Sequence, residues 1–471
     1  MSDVQIMEKT RLTVLQEMRL FIIVWVGQLI ALIGSSTTAF ALDIWVYDHT
    51  GSVTQFALVS LFNTLPLILI SPIAGPLVDK WDRRKTMIIA DVLACLGTIA
   101  IGVLFVIGRL EVWHIYLANT FTAVFMAFHT PAYTASTVLI VPKQHLNRAN
   151  GLMSLMFGIS LIIAPTLGGV LLSIVHFQGI ILFHVTAVFI AVVSLMLVRF
   201  PEVNTSAVAT AKSSFLSEAT YGLTYLTTRP GLLGLVLFSA SSFYLVGGIN
   251  VITIPLVLNF VSVSFLGTIL SLFGIAILTG GLLVSIWGGL ERNMYAIYGC
   301  MLLSGVFIFV AGLQASLVIF SVGIFLFFLT QPIISSSTQA VMQNKVEPSV
   351  QGRVFAIKGA IEAAAFPLGY ITIGPLAEKV FEPLMVTDGS LAGSIGQIIG
   401  VGSGRGMGLL LMIMGVLTIL ETCIAYLYPR LRFVEDELPN VSNAVALATP
   451  AAGIAADTAS VQKYPTLTLP L

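Results

Sequence analysis

Charged side chains inside apolar runs are the residues of this chain best placed to do chemistry. Lys358 and Glu362 stand four positions apart in one run, and Asp43, Asp91 and Glu421 lie within or at the ends of others. Inserting a charge at the centre of a membrane helix costs about 2.5 to 3.5 kcal/mol, so each such side chain needs a partner or a task. A carboxylate in this setting can bind a proton or a cation and release it again.

Lys358 and Glu362 have the spacing of a pair along one helix face. At 1.5 Å per residue from the start of the run near Val354, Glu362 lies about 12 Å deep and approaches the middle of a bilayer. Two interpretations are open: a self-neutralised structural pair, or a site at which Glu362 carries a proton as its pairing is made and broken. Asp43 has no cation nearby in the sequence. It is a further coupling candidate if it faces a cavity, and an outer-interface carboxylate if it does not.

Other polar residues in apolar runs fall into two groups. Asp91 lies one to two turns beyond a basic cluster, so we expect a structural pairing with Arg84 or Lys85. Two interpretations are open for His129, beside a proline, and His184: groups that change charge near neutral pH, as free histidine does, or hydrogen-bonded packing groups. The candidates for a cavity lining are His129, Thr122 and Asn119.

Several function classes are excluded by composition and motif. The three cysteines, Cys95, Cys300 and Cys423, all fall in apolar runs and lack metal or disulfide spacing. The chain has no phosphate-binding loop, and its net charge of zero gives no basic face for nucleic acid. We therefore expect no enzyme activity, no metal, no cofactor and no nucleic-acid partner.

The composition is that of an integral membrane protein, with 57% hydrophobic and only 9% charged residues. Apolar runs of about twenty residues predict twelve membrane helices. Their approximate bounds are 20–42, 56–78, 87–107, 112–141, 151–175, 180–200, 232–260, 265–289, 294–313, 317–342, 354–376 and 406–428. The first run is too long for the core of a cleaved signal peptide, so we expect it to remain as a helix.

Basic residues set the predicted topology, because they concentrate in cytoplasmic loops. Only Arg109, Lys379 and Arg405 fall on the opposite side, so both termini are predicted to be cytoplasmic. The predicted segments are a cytoplasmic N-terminal segment 1–19, a six-helix bundle 20–200, a cytoplasmic linker 201–230, a second six-helix bundle 231–430 and a disordered cytoplasmic tail 431–471.

The two predicted bundles repeat one another. Pro131 and Gly151 correspond at a constant shift to Pro332 and Gly352, which indicates a duplication with pseudo-symmetric halves around a central cavity. The linker has one apolar helical face, formed by Phe215, Ala219, Gly222 and Leu226, and is predicted to lie along the membrane surface. The Gly- and Ser-rich stretch 383–405 is an external loop, either a loose spacer or a cover for the outer mouth.

A basic turn between the second and third runs carries a family resemblance. Gly75-Pro-Leu-Val-Asp79 followed by Arg83-Arg84-Lys85 resembles the signature loop of the major facilitator superfamily of secondary transporters, with Asp82 where the family usually has a second glycine. The resemblance is strongest to its macrolide-efflux-like and enterobactin-exporter-like branch. It implies a gate in which Asp79 packs near the start of the eleventh helix, at Arg353. The gating residues it implies are Gly75, Asp79, Arg83, Arg84, Lys85 and Arg353.

The fifth run carries a second, partial resemblance. Ser160 to Gly169 is similar to a motif of drug/proton antiporters of this superfamily, with Pro165, Gly168 and Gly169 in place and with Ser160 and Ala164 where glycines are usual. It predicts a proline-kinked helix with a smooth face for a close neighbour, which a generic packing helix would also give. The fourth run has no arginine of the kind that assists proton transfer in many relatives; Thr122 stands near that place.

Together these features favour a monomeric exporter in the inner (plasma) membrane of a bacterium. It would move a small amphiphilic compound, drug-like or a secondary metabolite, by alternating access and proton antiport, with protons and the bilayer as its other partners. A siderophore or lysolipid-type exporter or flippase is the alternative within transport. A transport-inactive sensor or assembly factor is the alternative of another class, against which the intact turn Gly75–Lys85 argues.

Overall fold

The computed structural model describes residues 16–198, 200, 215–287, 292–314 and 316–437. Within these ranges twelve helices are long and apolar enough to cross a membrane, as the sequence predicts. We number them α1 to α12 in chain order. They are Arg19–Thr50, Val53–Val78, Arg83–Val106, Val112–Ile140, Leu146–Ile174, His176–Leu197, Pro230–Leu258, Val263–Trp287, Asn293–Leu313, Leu317–Lys345, Gln351–Pro375 and Arg405–Leu427.

Several helices extend beyond the apolar runs that predict them. Helix α1 continues past Asp43 to Thr50 and ends at Gly51, whose positive φ of 60° closes the helix. Helix α11 continues without a break as a π-helical turn, Leu376–Phe381, and a last turn to Met385. The backbone hydrogen bonds of both helices continue past polar residues, whereas a prediction from apolar runs ends each helix at those residues.

The helices form two bundles with matching contacts. In the first bundle α1 packs on α5, α2 on α4, and α3 on both α4 and α6; in the second, α7 packs on α11, α8 on α10, and α9 on both α10 and α12. This is the repeat that the shared proline and glycine positions predict. The bundles meet along two antiparallel helix pairs, α5 with α8 and α2 with α11.

The two ends of the molecule differ in how the bundles meet. At the end where α1 stops and α2 starts, the sealed end, one apolar cluster joins both bundles and includes Phe40 and Phe56 from the first with Ile252, Phe273 and Tyr370 from the second. The other end carries the turn Gly75–Lys85, and we call it the basic end. There each bundle has its own apolar cluster, one around Val78 and Leu195 and another around Leu232 and Val354.

Three connecting segments pack on the bundles. The linker helix Phe215–Thr227 contacts α11, with Leu226 buried against the second bundle. At the sealed end, Met385 and Ile399 of the segment after α11 are buried against Leu409 of α12, so this segment is anchored and the expectation of a loose spacer is wrong. At the other end of α12, the Glu435 carboxylate accepts hydrogen bonds from the first amides of α9, so the described part of the predicted tail is ordered; residues 438–471 lie outside the described ranges.

Candidate functional site

The seal between α5 and α8 depends on small residues that let backbones touch. A Cβ at Gly267 would lie 2.1 Å from the Pro165 carbonyl oxygen, and one at Gly169 would lie 2.9 Å from that of Val263. The Thr166 and Ser271 hydroxyls are 2.7 Å apart, and Ser271 also donates to the Ile162 carbonyl. The predicted smooth face of α5 therefore packs directly on the opposite bundle. Of the residues predicted with Pro165, Gly168 faces Phe40 of α1 instead.

A carboxylate latches α11 to α2 at the sealed end. Glu378 Oε2 accepts hydrogen bonds from the Ser52 hydroxyl and the Thr54 amide, each at 2.7 Å. These donors belong to the N-cap and first turn of α2, where amides lack partners within the helix and the helix dipole favours an anion. Glu378 therefore satisfies the start of a helix in the other bundle, and the next turn brings Gly374 against Ala57.

The basic turn is held within the first bundle. Asp82 caps α3 by accepting from the Lys85 amide at 2.9 Å. Arg83 donates to the Ala135 carbonyl of α4 at 3.1 Å, and Arg84 donates to the Met196 carbonyl of α6 at 2.6 Å. The two arginines fasten the start of α3 to its neighbours, and a Cβ at Gly75 would meet open space.

Asp79 and Arg353 are not joined in this conformation. Asp79 follows the last turn of α2, and its amide donates to the Gly75 carbonyl. Arg353 lies over the ring of Tyr221 in the linker helix, 5.3 Å from its centroid. Among the described residues no ion pair links the two, so the gating role implied by the resemblance stays a prediction.

A cavity of about 330 Å³ lies within the first bundle. The predicted residues Asn119, Thr122 and His129 all line it, and the surrounding surface is largely apolar, with Met126 and Phe157 among its members. Its further polar lining residues are Gln28, Ser35, Ser36, Thr38, Asn63, Asp91, Thr98, Thr130, Tyr133, Thr134 and His184. The cavity therefore combines an apolar wall with one carboxylate and two imidazoles.

Asp91 is the charged centre of this cavity, and its expected pairing with Arg84 or Lys85 is wrong. Its Oδ2 accepts from the Gln28 amide at 3.1 Å, and its Oδ1 lies 3.2 Å from His129 Nε2. Both side chains of the pair are buried. The His129 contact is close enough for an ion pair but is not aligned as a hydrogen bond.

The sequence-predicted coupling candidates lie outside this cavity. Lys358 Nζ is 2.8 Å from Glu362 Oε2, as the spacing predicts, and the Ser239 hydroxyl of α7 donates to Glu362 Oε1 at 2.5 Å. The pair is buried inside the second bundle. Asp43 lies on α1 between the cavity and the sealed end and is not among the cavity residues. The structure therefore joins Lys358 with Glu362, whereas Asp43 lies in the other bundle.

A family model described as the Major Facilitator Superfamily matches residues 24–370, which is most of the chain. The chain belongs to the major facilitator superfamily. Among its relatives, macrolide efflux protein A of Streptococcus pyogenes is 30% identical over 367 residues, covering 76% of this chain and 90% of that relative. Multidrug efflux pump Tap of Mycolicibacterium fortuitum is 25% identical over 369 residues, covering 73% of this chain and 86% of the pump. Enterobactin exporter EntS of Salmonella typhi is 23% identical over 150 residues, covering 32% of this chain and 36% of the exporter.

Solved structures agree on the superfamily fold. A bacterial homolog of the human lysosomal transporter Spinster, in an inward-facing and unoccupied conformation, aligns with a TM-score of 0.64 at 14% identity, over 90% of this chain and 98% of its own. The nucleoside transporter NupG also aligns with a TM-score of 0.64, at 11% identity, over 86% of this chain and 99% of its own. Together with the family match and the twelve apolar helices among the described residues, this fold makes the chain a multi-pass membrane protein of a transporter family, and not an enzyme.

The departures from the superfamily motifs have local explanations. Asp82 replaces a glycine and supplies the N-cap of α3. On α5, the Ser160 hydroxyl donates to the Ser36 hydroxyl at 3.0 Å, and the Ala164 carbonyl accepts from Thr37 of α1 at 3.5 Å. These two replacements face α1, while Gly169 lies at the contact with the second bundle. The chain keeps a glycine where the two bundles touch.

Sequence reasoning missed Glu378 and misassigned Asp91. Glu378 follows the apolar run of α11, where it resembles any interface carboxylate, and its partners lie 324 and 326 positions away. Gln28 and His129 reach Asp91 from α1 and α4, over 63 positions in the case of Gln28. The available signal was that Asp91, His129 and Gln28 are polar residues in three different apolar runs, so that pairing with one another would satisfy all of them.

Proposed function

We propose that this major facilitator protein is a secondary exporter of a small amphiphilic compound that works by alternating access. The observation that carries the proposal is an asymmetry between the two ends: the bundles share one apolar cluster at the sealed end, whereas among the described residues each bundle has its own cluster at the basic end. The hydrogen bonds that join Glu378 to α2 and α5 to α8 lie at or toward the sealed end. This asymmetry supports the proposal, because alternating access requires a state that is closed at one end.

The proposed direction of transport and the proposed class of substrate rest on the relatives and on the lining of the cavity. The chain covers 90% of macrolide efflux protein A and 86% of multidrug pump Tap, both efflux proteins by name. A largely apolar wall with a few polar groups suits an amphiphile. The exporter of enterobactin matches only 32% of the chain, so a drug-like compound is the better-supported substrate.

We propose that the proton gradient drives transport, by proton antiport. The chain has no phosphate-binding loop for nucleotide, and the cavity contains a carboxylate beside an imidazole. We further propose that the protein is a monomer in the inner (plasma) membrane of a bacterium, with the basic end in the cytoplasm, because basic residues of membrane proteins concentrate on that side.

Accumulation of radiolabelled erythromycin, a macrolide, tests export. Cells that lack their own efflux pumps should accumulate several-fold less drug when they express the chain than with an empty vector. A protonophore should abolish the difference. Equal accumulation by both strains would remove macrolides from the substrate range, and efflux that persists with protonophore would contradict proton coupling. Enterobactin release from the same strains measures the alternative substrate.

Thiol labelling tests sidedness. In a cysteine-free background, a cysteine at Ser394, which is exposed at the sealed end, should react with an impermeant reagent in intact spheroplasts. A cysteine at Ser206 in the linker sequence, which lies outside the described residues, should not react. The opposite labelling pattern would reverse the topology.

A further inference from the structure

The cavity of the first bundle contains three buried polar atoms with no hydrogen-bond partner in the described chain. They are His129 Nε2, His184 Nδ1 and the Tyr133 hydroxyl. A buried polar group that lacks a partner carries a desolvation cost, so a cluster of them needs an explanation. Here all three surround one cavity that also holds the Asp91 carboxylate.

We propose that Asp91 and His129, held by Gln28, form the proton-binding site of the transporter. This proposal rests on the proposed function in that it assigns the coupling step of antiport. With a neutral imidazole and a carboxylate the pair carries one negative charge. When a proton enters from water in the cavity, it binds to His129 Nε2 and gives an imidazolium–carboxylate pair with no net charge. Release to the other side restores the negative charge, so each cycle moves one proton.

The surroundings of the pair favour a single proton site. Helix α3 packs against α4 and α6 and touches α1 through Gln28. The titratable groups that line the cavity with Asp91 are His129 and Tyr133 from α4 and His184 from α6, and Cys95 lies one turn along the helix of Asp91. Among the residues that the structure describes, no lysine or arginine lines the cavity. The carboxylate therefore has no permanent cation, and its charge is balanced only when a proton or a cation arrives.

The alternative carrier, Glu362, is already neutralised. Its carboxylate has Lys358 at 2.8 Å on the same helix and the Ser239 hydroxyl on another helix of the same bundle. Glu362 therefore has a permanent cation beside it, whereas the charge nearest to Asp91 is an imidazole that is cationic only when protonated. The neutral replacement of such a pair is tolerated when both charges are removed together.

Depth and access also favour Asp91. It lies eight residues from the start of α3 at Arg83, or about 12 Å from the basic end at 1.5 Å per residue. Glu362 has a similar count from the start of its own helix but lies outside the cavity. Of the two carboxylates, Asp91 is the one that water from the cavity can reach.

The test is a pH titration of ¹⁵N-labelled histidine by NMR, on purified protein in lipid nanodiscs without drug. The chain has six histidines, and a His129→Gln variant assigns the His129 signals by difference. In the wild-type protein these signals should move between neutral and charged positions as the pH falls. In Asp91→Asn they should stay at the neutral position, since the charge that stabilises the imidazolium is gone. The double variant Lys358→Met with Glu362→Gln is the control and should titrate as wild type.

Three outcomes would overturn the assignment. His129 signals in the wild type that do not respond to pH would exclude the site, and this arm does not depend on the folding of Asp91→Asn. A wild-type titration that survives in Asp91→Asn would show that Asp91 does not hold the proton. Loss of the titration in the Lys358–Glu362 double variant would move the site to the second bundle. Because no drug is present, these outcomes are independent of whether erythromycin is exported.

Discussion

The two ends of the molecule bring helices together by different chemistry. At the sealed end the contacts cross between bundles: glycine against backbone in α5 and α8, and the Glu378 carboxylate on the start of α2. At the basic end the corresponding contacts stay inside one bundle, as with Arg83 on the Ala135 carbonyl and Arg84 on that of Met196. The first kind of contact must break for the molecule to open at that end, whereas the second kind can persist through the cycle proposed above.

This difference distinguishes residues whose contacts exist in only one conformation from residues whose contacts hold one bundle together. Glu378 and Gly267 have contacts that exist only while the sealed end is closed. Asp79 and Arg353 form no ion pair with each other among the described residues, and their proposed role belongs to a state that is closed at the basic end. Substitutions at the two ends should therefore affect opposite states.

The largest effect is expected for Gly267→Val. Its Cβ would lie 2.1 Å from the Pro165 carbonyl oxygen, and backbone cannot move aside as a side chain can. The contact between α5 and α8 should be destabilised by at least about 1 to 3 kcal/mol, which is the usual cost of overpacking. The melting temperature in detergent should fall accordingly. Gly281→Val is the matched control, because a Cβ at Gly281 on the same helix meets open space; equal melting of the two variants would contradict the close approach.

A smaller effect is expected for Glu378→Ala, which removes two hydrogen bonds to a carboxylate. With Glu378 partly exposed, the loss should be about 1 to 2 kcal/mol, or about a 5- to 30-fold shift toward opening of the sealed end. Spin labels at the exposed positions Asp48 and Ser394 should report a new population at longer distance.

Glu347→Ala is the control for the loss of charge in that measurement. Glu347 is an exposed carboxylate at the basic end, so its removal should leave the label distances unchanged. Identical distance distributions for Glu378→Ala and wild type would show that the Glu378 contact does not hold the seal.

Asp79→Asn should have little effect on the conformation described here. Among the described residues this side chain has no ion pair to lose. The free energy of unfolding should therefore change by no more than about 0.5 kcal/mol, with a correspondingly small shift of the melting temperature. Transport should nevertheless slow several-fold, because the state closed at the basic end loses its proposed latch to the start of α11. Erythromycin efflux at matched expression measures this, and unchanged efflux would remove Asp79 from the gate.

The smallest effect concerns an exposed contact at the basic end. The Glu17 carboxylate lies 2.8 Å from His145 Nε2, and hydrogen bonds from His145 and Gln144 lower the pKa of Glu17 from its ordinary value of 4.5. A lowered pKa in the folded state adds stability above the unfolded pKa, and this is lost as pH falls through the folded pKa. The wild type should thus lose slightly more stability than Glu17→Gln on acidification below about pH 4.5. Parallel melting curves from pH 6 to about pH 3 would contradict this coupling.

The helices were predictable because a membrane demands about twenty apolar residues of each one, and such runs are visible without any knowledge of packing. The ends of the helices were less predictable. Asp43 and Asp48 interrupt the apolar run of α1, but the helix continues to Thr50, since its backbone bonds do not depend on side-chain polarity. The close contact of Lys358 with Glu362 was also predictable, as a spacing of four fixes it within one helix.

The contacts that distinguish the two ends were not predictable in the same way. Asp91 finds Gln28 and His129 on other helices, and Glu378 finds its donors in the other bundle. Spacing along the chain carries no information about such pairs. For Asp91, proximity in sequence favoured Arg84, whose guanidinium instead donates to a carbonyl of α6.

The Glu378 contact constrains the two sides of the interface unequally over evolutionary time. One of its two donors is the amide of Thr54, which every residue except proline supplies. Position 54 is therefore free to drift through most substitutions without loss of that bond, whereas position 378 needs a carboxylate of the right length. A lineage of this chain that changes the first turn of α2 therefore keeps its closure at the sealed end, provided that position 378 stays a glutamate.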